Sequence, residues 1–313
     1  MSEYPRTVLE FEERFATEEA CRGYMAGLRW PQGFACLGCG HPKAWWTSRG
    51  LLHCARCGHQ TSVTAGTIFQ DTHRPLRLWF RAMWYVTSQK PGVSALGLQR
   101  VLGLGSYHTA WAWLHKLRRA MVRPGRDRLA GSVQVDETLI GGEKPGPRGR
   151  GAAGKRLVVI AAEHEGTRIG RIRLRQVPDG SSPSLHGAIR EAVEPGSLVE
   201  TDCWRGYRGL TGLGYRHQAS PGTGELGEDP LPHCHRVASL LKRWWLGTHQ
   251  GAIRPSHLDY YLDEFTFRFN RRTSRSRGLL FHRLAQQAVA VGPVPESHLK
   301  APTPTPPAPA DPA

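Results

Sequence analysis

Acidic side chains are scarce in this chain. Asp and Glu number 26 against 42 Lys and Arg, which gives a formal net charge of +16 and a pI near 10.1. A surplus that large favours a polyanionic partner, and nucleic acid is the commonest. Long apolar runs are missing too. None approaches the roughly 20 residues of a membrane helix, so a spanning attachment to an anionic membrane is excluded. The N-terminus, Met1-Ser2-Glu3-Tyr4-Pro5, lacks the basic-then-apolar pattern of a secretory signal. A cytoplasmic protein, at the nucleoid when bound to DNA, is therefore expected. No internal repeat is present. Cysteine is sparse outside one cluster: of seven, Cys21, Cys203 and Cys234 are scattered, and the other four fall into two CxxC pairs.

Hydrophobic residues make up 39% of 313, enough for a packed chain of two or three domains. Residues 1–30 read as a helical lead-in, with Phe11, Phe15, Cys21, Tyr24 and Met25 at helical spacing. Residues 31–70 hold the cysteine module, and 71–124 are helical with breaks at Lys90-Pro91-Gly92 and Leu102-Gly103-Leu104-Gly105. Residues 130–291 mix strands and helices. From 292 to 313 Pro and Ala dominate, and a disordered tail is expected.

In the cysteine module fourteen residues separate the Cys36/Cys39 pair from the Cys54/Cys57 pair. Two residues between thiolates make a knuckle that offers both sulfurs to one ion, and two knuckles complete a tetrahedral Zn²⁺ site. Four ligands leave no open position, so the zinc is structural. Trp45, Trp46, Arg49, Arg56 and Gln60 surround it. A small basic, aromatic ribbon of this kind is suited to DNA, though it also serves as a scaffold.

The segment from Val93 to Met121 resembles a helix-turn-helix. A first helix ends at Gly103, and a second starts near His108 with Ser106 as its cap. Arg118, Arg119 and Arg123 add charge, and Arg118 and Arg119 are candidate DNA contacts. A plain helical hairpin is the alternative reading.

From Val133 onward the pattern becomes strand-like. Strands are expected at 132–139, 156–163, 168–177, 198–201 and 216–219, with helices at 182–193, 234–246, 256–271 and 277–291. Three linked strands, a helix, a fourth strand and further helices describe an α+β, RNase H-like mixed sheet among several other folds. Asp136 lies inside an apolar strand, where a carboxylate is costly unless paired or metal-bound. Asp202 ends the fourth strand, which neighbours the first in that topology. Two facing carboxylates repel, and a hard divalent cation such as Mg²⁺ relieves the repulsion. Arg268 through Arg277 is dense in arginine, and Arg268, Arg271, Arg272 and Arg275 are candidate phosphate contacts. Of Trp244 and Trp245, at least one is expected in the core.

These motifs together resemble the ISXO2-like group of bacterial insertion-sequence transposases, the IS1595 family. The resemblance spans nearly all of the chain to about residue 290. It rests on the double CxxC, Val135-Asp136-Glu137-Thr138-Leu139-Ile140-Gly141-Gly142, Thr201-Asp202-Cys203-Trp204-Arg205-Gly206-Tyr207 and Ser239-Leu240-Leu241-Lys242-Arg243. It extends through His257-Leu258-Asp259-Tyr260-Tyr261 and Phe269-Asn270-Arg271-Arg272. It implies an RNase H-like DDE-type transposase that binds terminal inverted repeats and carries out metal-dependent DNA cleavage and strand transfer. Its implied partners are double-stranded DNA, as transposon ends and target, and further copies of itself. Asp136 and Asp202 match the first two catalytic acids. The third is usually Glu or Asn, seven residues before a lysine. Counting back seven from Lys242 reaches His235, which lies 33 residues after Asp202. Histidine is a softer ligand and shifts preference from Mg²⁺ towards Mn²⁺. Glu137, His233, Glu264 and the loop acids Glu225, Glu228 and Asp229 are rival third ligands. Lys242 and Arg243 are implied to meet DNA phosphates. A DNA-binding regulator with a decayed centre, or a nuclease or resolvase on the same fold, is the alternative.

Overall fold

The computed structural model describes residues 4–123, 125–141, 155–221, 229–251 and 254–295, with 297 and 299. Glu225, Glu228 and all but the first residues of the expected tail lie outside them. Within the described residues the chain divides into two compact units, one reaching 125 with a return from 273, the other 126–272.

The first unit starts with α1 (Val8–Arg14) and α2 (Glu18–Arg29), each opened by a threonine. The Thr7 and Thr17 hydroxyls accept from Glu10 and Ala20 N–H at 3.1 and 3.2 Å. A small antiparallel sheet follows, in the order β1 (Ala44–Trp46), β2 (Leu52–Cys54), β3 (Gln60–Thr61). Next come α3 (Leu76–Ser88), α4 (Ala95–Leu102) and α5 (Tyr107–Ala120). Pro75 gives α3 no side-chain cap of its own, and Glu18 supplies one from α2: its two oxygens accept from Leu76 and Arg77 N–H, both at 2.9 Å. Gly103 ends α4 in the left-handed region (φ 62°), and Ser106 caps α5 through His108 N–H at 3.1 Å, as its sequence predicts. The core is aromatic. Phe11, Phe15, Phe80 and Phe281 meet edge to face or tilted, and Trp79 stacks on Trp113 with centroids 3.7 Å apart.

Phe281 belongs to α9 (Arg277–Ala290), which packs on α2, α3 and α5. The expected domain of 130–291 therefore loses its last helix to the first unit. The reason is the apolar face of α9, with Phe281, Leu284 and Ala288 buried against helices that sequence order places far away.

The second unit is a five-stranded sheet in the order β6-β5-β4-β7-β8. Its strands are β4 (Ser132–Ile140), β5 (Arg156–Glu165), β6 (Arg168–Val177), β7 (Leu198–Thr201) and β8 (Arg216–Ala219). The first three pair antiparallel, and β7 runs parallel to both β4 and β8. One face is covered by α6 (Ser182–Ala192), over Val133, Val135, Val159 and Val199. The other is covered by α7 (Pro232–His249) and α8 (Leu258–Phe269), over Val158, Ile160, Ile172 and Leu174. This is the expected RNase H-like α+β arrangement. Strand alternation sends odd residues of β4 to the α6 side and even residues, Asp136 among them, to the α7 side.

Candidate active site

The cysteine module forms as its spacing predicts. The four sulfurs of Cys36, Cys39, Cys54 and Cys57 lie within 4.8 Å of one another, with Cys36–Cys57 at 3.5 Å and Cys39–Cys54 at 3.7 Å. The two knuckles repeat one geometry. Gly38 N–H donates to the Cys36 Sγ and Arg56 N–H to the Cys54 Sγ, each at 3.4 Å. Gly40 and Gly58 close the turns at φ 70° and 72°, where a Cβ is strained. Soft thiolates converging as a closed foursome fit zinc. On the same ribbon Trp45 stacks on His53 at 4.5 Å, and Trp45 and Trp46 are exposed.

In the second unit Asp136 sits mid-strand with its side chain 15% exposed, and His235 in the first turn of α7 meets it: Nε2 lies 3.3 Å from Asp136 Oδ2. Asp229 holds the other side of that ring, its Oδ1 2.6 Å from Nδ1, and also accepts from Leu231 N–H at 3.0 Å. A carboxylate behind an imidazole fixes which nitrogen faces forward. Asp202 directly follows β7, and its Oδ1 accepts from Trp204 N–H at 3.0 Å. Burial pushes the Asp136 carboxyl up to about 6, and the charges of Glu137 and Asp202 add to the rise against the pull of His235. A buried carboxylate with an acid neighbour fits a hard cation. Among the described residues only the cysteines close into a tight cluster of three or more ligand atoms.

The rival third ligands part company here. Glu137 points to the α6 face, where Tyr207 donates to it. Glu264 is 1% exposed and binds the Arg268 Nε and Nη2 at 2.8 and 2.7 Å. His233 stacks on His164 instead of facing Asp136, with rings 4.6 Å apart. Trp245 is core, and Trp244 packs half-buried against it.

The candidate DNA contacts divide as well. Arg119, Lys242, Arg243 and Arg275 are exposed. Arg118 is 2% exposed, on the buried face of α5 set by Leu114 and Leu117, so its guanidinium does not face solvent. Arg268 is committed to buried Glu264. Arg271 lies over the Phe267 ring at 4.1 Å and donates to the Phe267 carbonyl. Arg272 donates to the Gly170 and Ile169 carbonyls on β6. Beside it Asn270 accepts from Ile172 N–H at 2.8 Å and donates to Ile172 C=O at 3.1 Å, so a side-chain amide pairs with the sheet edge as a strand would. Within the run, Arg268 and Arg271 thus bond to residues of α8, Arg272 ties the chain after it to β6 while remaining exposed, and Arg275 is exposed as well.

Four groups escaped the sequence reading: Gln134, Glu200, His164 and the Glu137–Tyr207 pair. The signal for the first two was present, since each is a polar residue two positions before a candidate acid, on an inward face. Gly206 is another. A Cβ there meets the Gly180 carbonyl at 2.5 Å and Leu185 Cδ1 at 2.8 Å. Gly206→Ala is expected to cost about 1–3 kcal/mol by overpacking. It should also disturb the turn that holds Asp202 and Tyr207. Thermal melts of the purified variant check this, and an unchanged Tm contradicts it.

Sheet order and strand direction define the second unit as an RNase H-like domain. Residues 128–270 match the ISXO2-like transposase domain, and residues 16–60 match the transposase zinc-ribbon domain. The chain belongs to that transposase family. A relative from Halobacterium salinarum, named "Uncharacterized protein in transposable element ISH50", is 25% identical over 276 residues, spanning 81% of this chain and 91% of the relative. Among solved structures, the cryo-electron microscopy structure of a simian T-cell lymphotropic virus intasome in complex with the PP2A regulatory subunit B56 gamma shows a distant similarity. It has 15% identity, a TM-score of 0.32, and coverage of 64% of this chain and 74% of that one. No described helix is long and apolar enough to cross a membrane.

Proposed function

We propose that this chain is an active DDE-type transposase. It binds the terminal inverted repeats of its element, cuts there, and joins the freed 3′-hydroxyl to target DNA. The observation that supports the reading is the 3.3 Å approach of His235 to Asp136, a carboxyl that also feels the charge of Asp202. These three would hold the catalytic Mg²⁺ or Mn²⁺, which supplies charge stabilisation for the entering and leaving oxygens of a phosphodiester. The protein's own part is placement. Asp229 orients His235. Lys242 lies seven residues further along the exposed face of α7, about 10 Å down the axis, where it meets a terminal phosphate, with Arg243 beside it. Cys36, Cys39, Cys54 and Cys57 hold structural Zn²⁺, and the basic, aromatic ribbon they brace meets DNA together with Arg119. Two ends must be brought together, so the working form is a homo-oligomer on double-stranded DNA in the cytoplasm.

End-labelled DNA carrying the element's terminus tests this. Wild-type protein with Mn²⁺ should release a 3′-hydroxyl at the element boundary, and Lys242→Ala should weaken the end complex about tenfold, the worth of one charged hydrogen bond. Binding without cutting under either metal would instead mark a DNA-binding regulator. Cutting without end specificity would mark a nuclease.

A further inference from the structure

Directly behind the proposed metal ligands lies a second polar layer. Gln134, Glu200 and His233 each stand two residues before Asp136, Asp202 and His235 on β4, β7 and α7, and Gln134 and Glu200 are register partners across the parallel pair. Gln134 is 5% exposed, and both ends of its amide are used. Its Nε2 donates to Glu200 Oε2 at 3.2 Å, and its Oε1 accepts from the His233 backbone N–H at 3.0 Å. Glu200 Oε2 also meets His164 Nε2 at 3.0 Å, and the His164 ring stacks on that of His233. A carboxylate takes only the NH₂ end, and an N–H takes only the carbonyl end, so the amide has one orientation.

The His233 N–H is one of the first-turn donors that a helix leaves without an internal partner. Leu231, at the N-cap of α7, contributes no side-chain bond. We propose that Gln134 is a positioning residue. From the strand that carries Asp136 it caps the helix that carries His235, and so fixes the spacing between the two, while Glu200 and His164 hold its amide in place. The first unit uses the same device where Glu18 caps α3. The sheet supplies one end of the cap and the helix the other, so a shift of the first turn of α7 away from β4 would break it before the ligands separate. The proposal rests on His235 as third ligand.

The test uses the full chain and two readouts. In Gln134→Leu, hydrogen exchange at the His233 amide should accelerate at least tenfold, and the Mn²⁺ concentration for half-maximal strand transfer should rise by a similar factor. End-DNA affinity should stay within twofold. Glu200→Gln keeps an acceptor towards Gln134 and should keep that exchange slow, whereas Glu200→Leu should speed it. This pair serves if Gln134→Leu does not fold. Exchange and Mn²⁺ dependence both within twofold of wild type in Gln134→Leu, or equal exchange in the two Glu200 variants, would overturn the proposal. If His235→Ala leaves the Mn²⁺ dependence unchanged, the ligand assignment fails, and the cap is then judged on exchange alone.

Discussion

Asp136→Asn is expected to abolish strand transfer while making the metal-free protein more stable at neutral pH. Both effects come from one fact: a carboxylate has been placed where the fold alone does not favour its charge. In the folded chain the Asp136 carboxyl ionises near 6 instead of its ordinary 3.8. Below pH 3.8 it is protonated in both folded and unfolded chains and costs nothing. As pH rises towards 6 the unfolded chain ionises first, so stability falls, and above 6 the full penalty applies. A rise of that size corresponds to about 3 kcal/mol at pH 7. Asparagine keeps the shape and removes the charge, so the metal-free Tm should rise on the order of 5 °C at pH 7.5, with little change at pH 4. The loss of the exposed His235 contact offsets only part of this. Calorimetry at the two pH values, beside a strand-transfer assay, checks both halves. A variant that melts lower at pH 7.5 would mean that the buried charge is already compensated by the protein.

Removing zinc is expected to have the second large effect. The ribbon sheet has strands of three, three and two residues, with Leu52 and Cys54 among its few buried side chains. So small a sheet does not hold itself together in water. The four thiolates must do so through their ion, and a structural zinc contributes about 10–16 kcal/mol of apparent binding energy at neutral pH. One zinc per chain should be found by metal analysis. Cys54→Ser, or a strong chelator, should bring the amides of residues 36–61 to near-unprotected hydrogen exchange. Retained protection after zinc loss would show that the ribbon folds on its own contacts.

Much of this was legible in the sequence. Period-two alternation around Asp136 located β4 and set the acid on the face opposite its neighbouring valines, and the structure then showed which helices cover each face. The CxxC pairs located the zinc knuckles for the same local reason. Non-local facts were less legible. A run of arginines reads as one basic patch, yet Arg268 answers the buried Glu264, Arg272 answers β6 carbonyls, and Arg118 falls on the inner side of its helix. Composition carries no information about which of several like charges has a partner. The place of α9 was hidden because its apolar face suits any helical core, and only packing chose α3. The layer of Gln134, Glu200 and His164 needed the register of three strands, which a sequence does not print.

We propose that Asp136, Asp202 and His235 work as one metal-dependent centre for joining DNA ends. The most direct test is strand transfer by the purified full chain with DNA carrying the element's inverted repeats, in Mg²⁺ and in Mn²⁺, beside Asp202→Ala. The wild-type protein should give joined products, more with Mn²⁺ than with Mg²⁺, and the variant none even though it still binds the ends. Joined products of equal yield from Asp202→Ala would contradict the proposal.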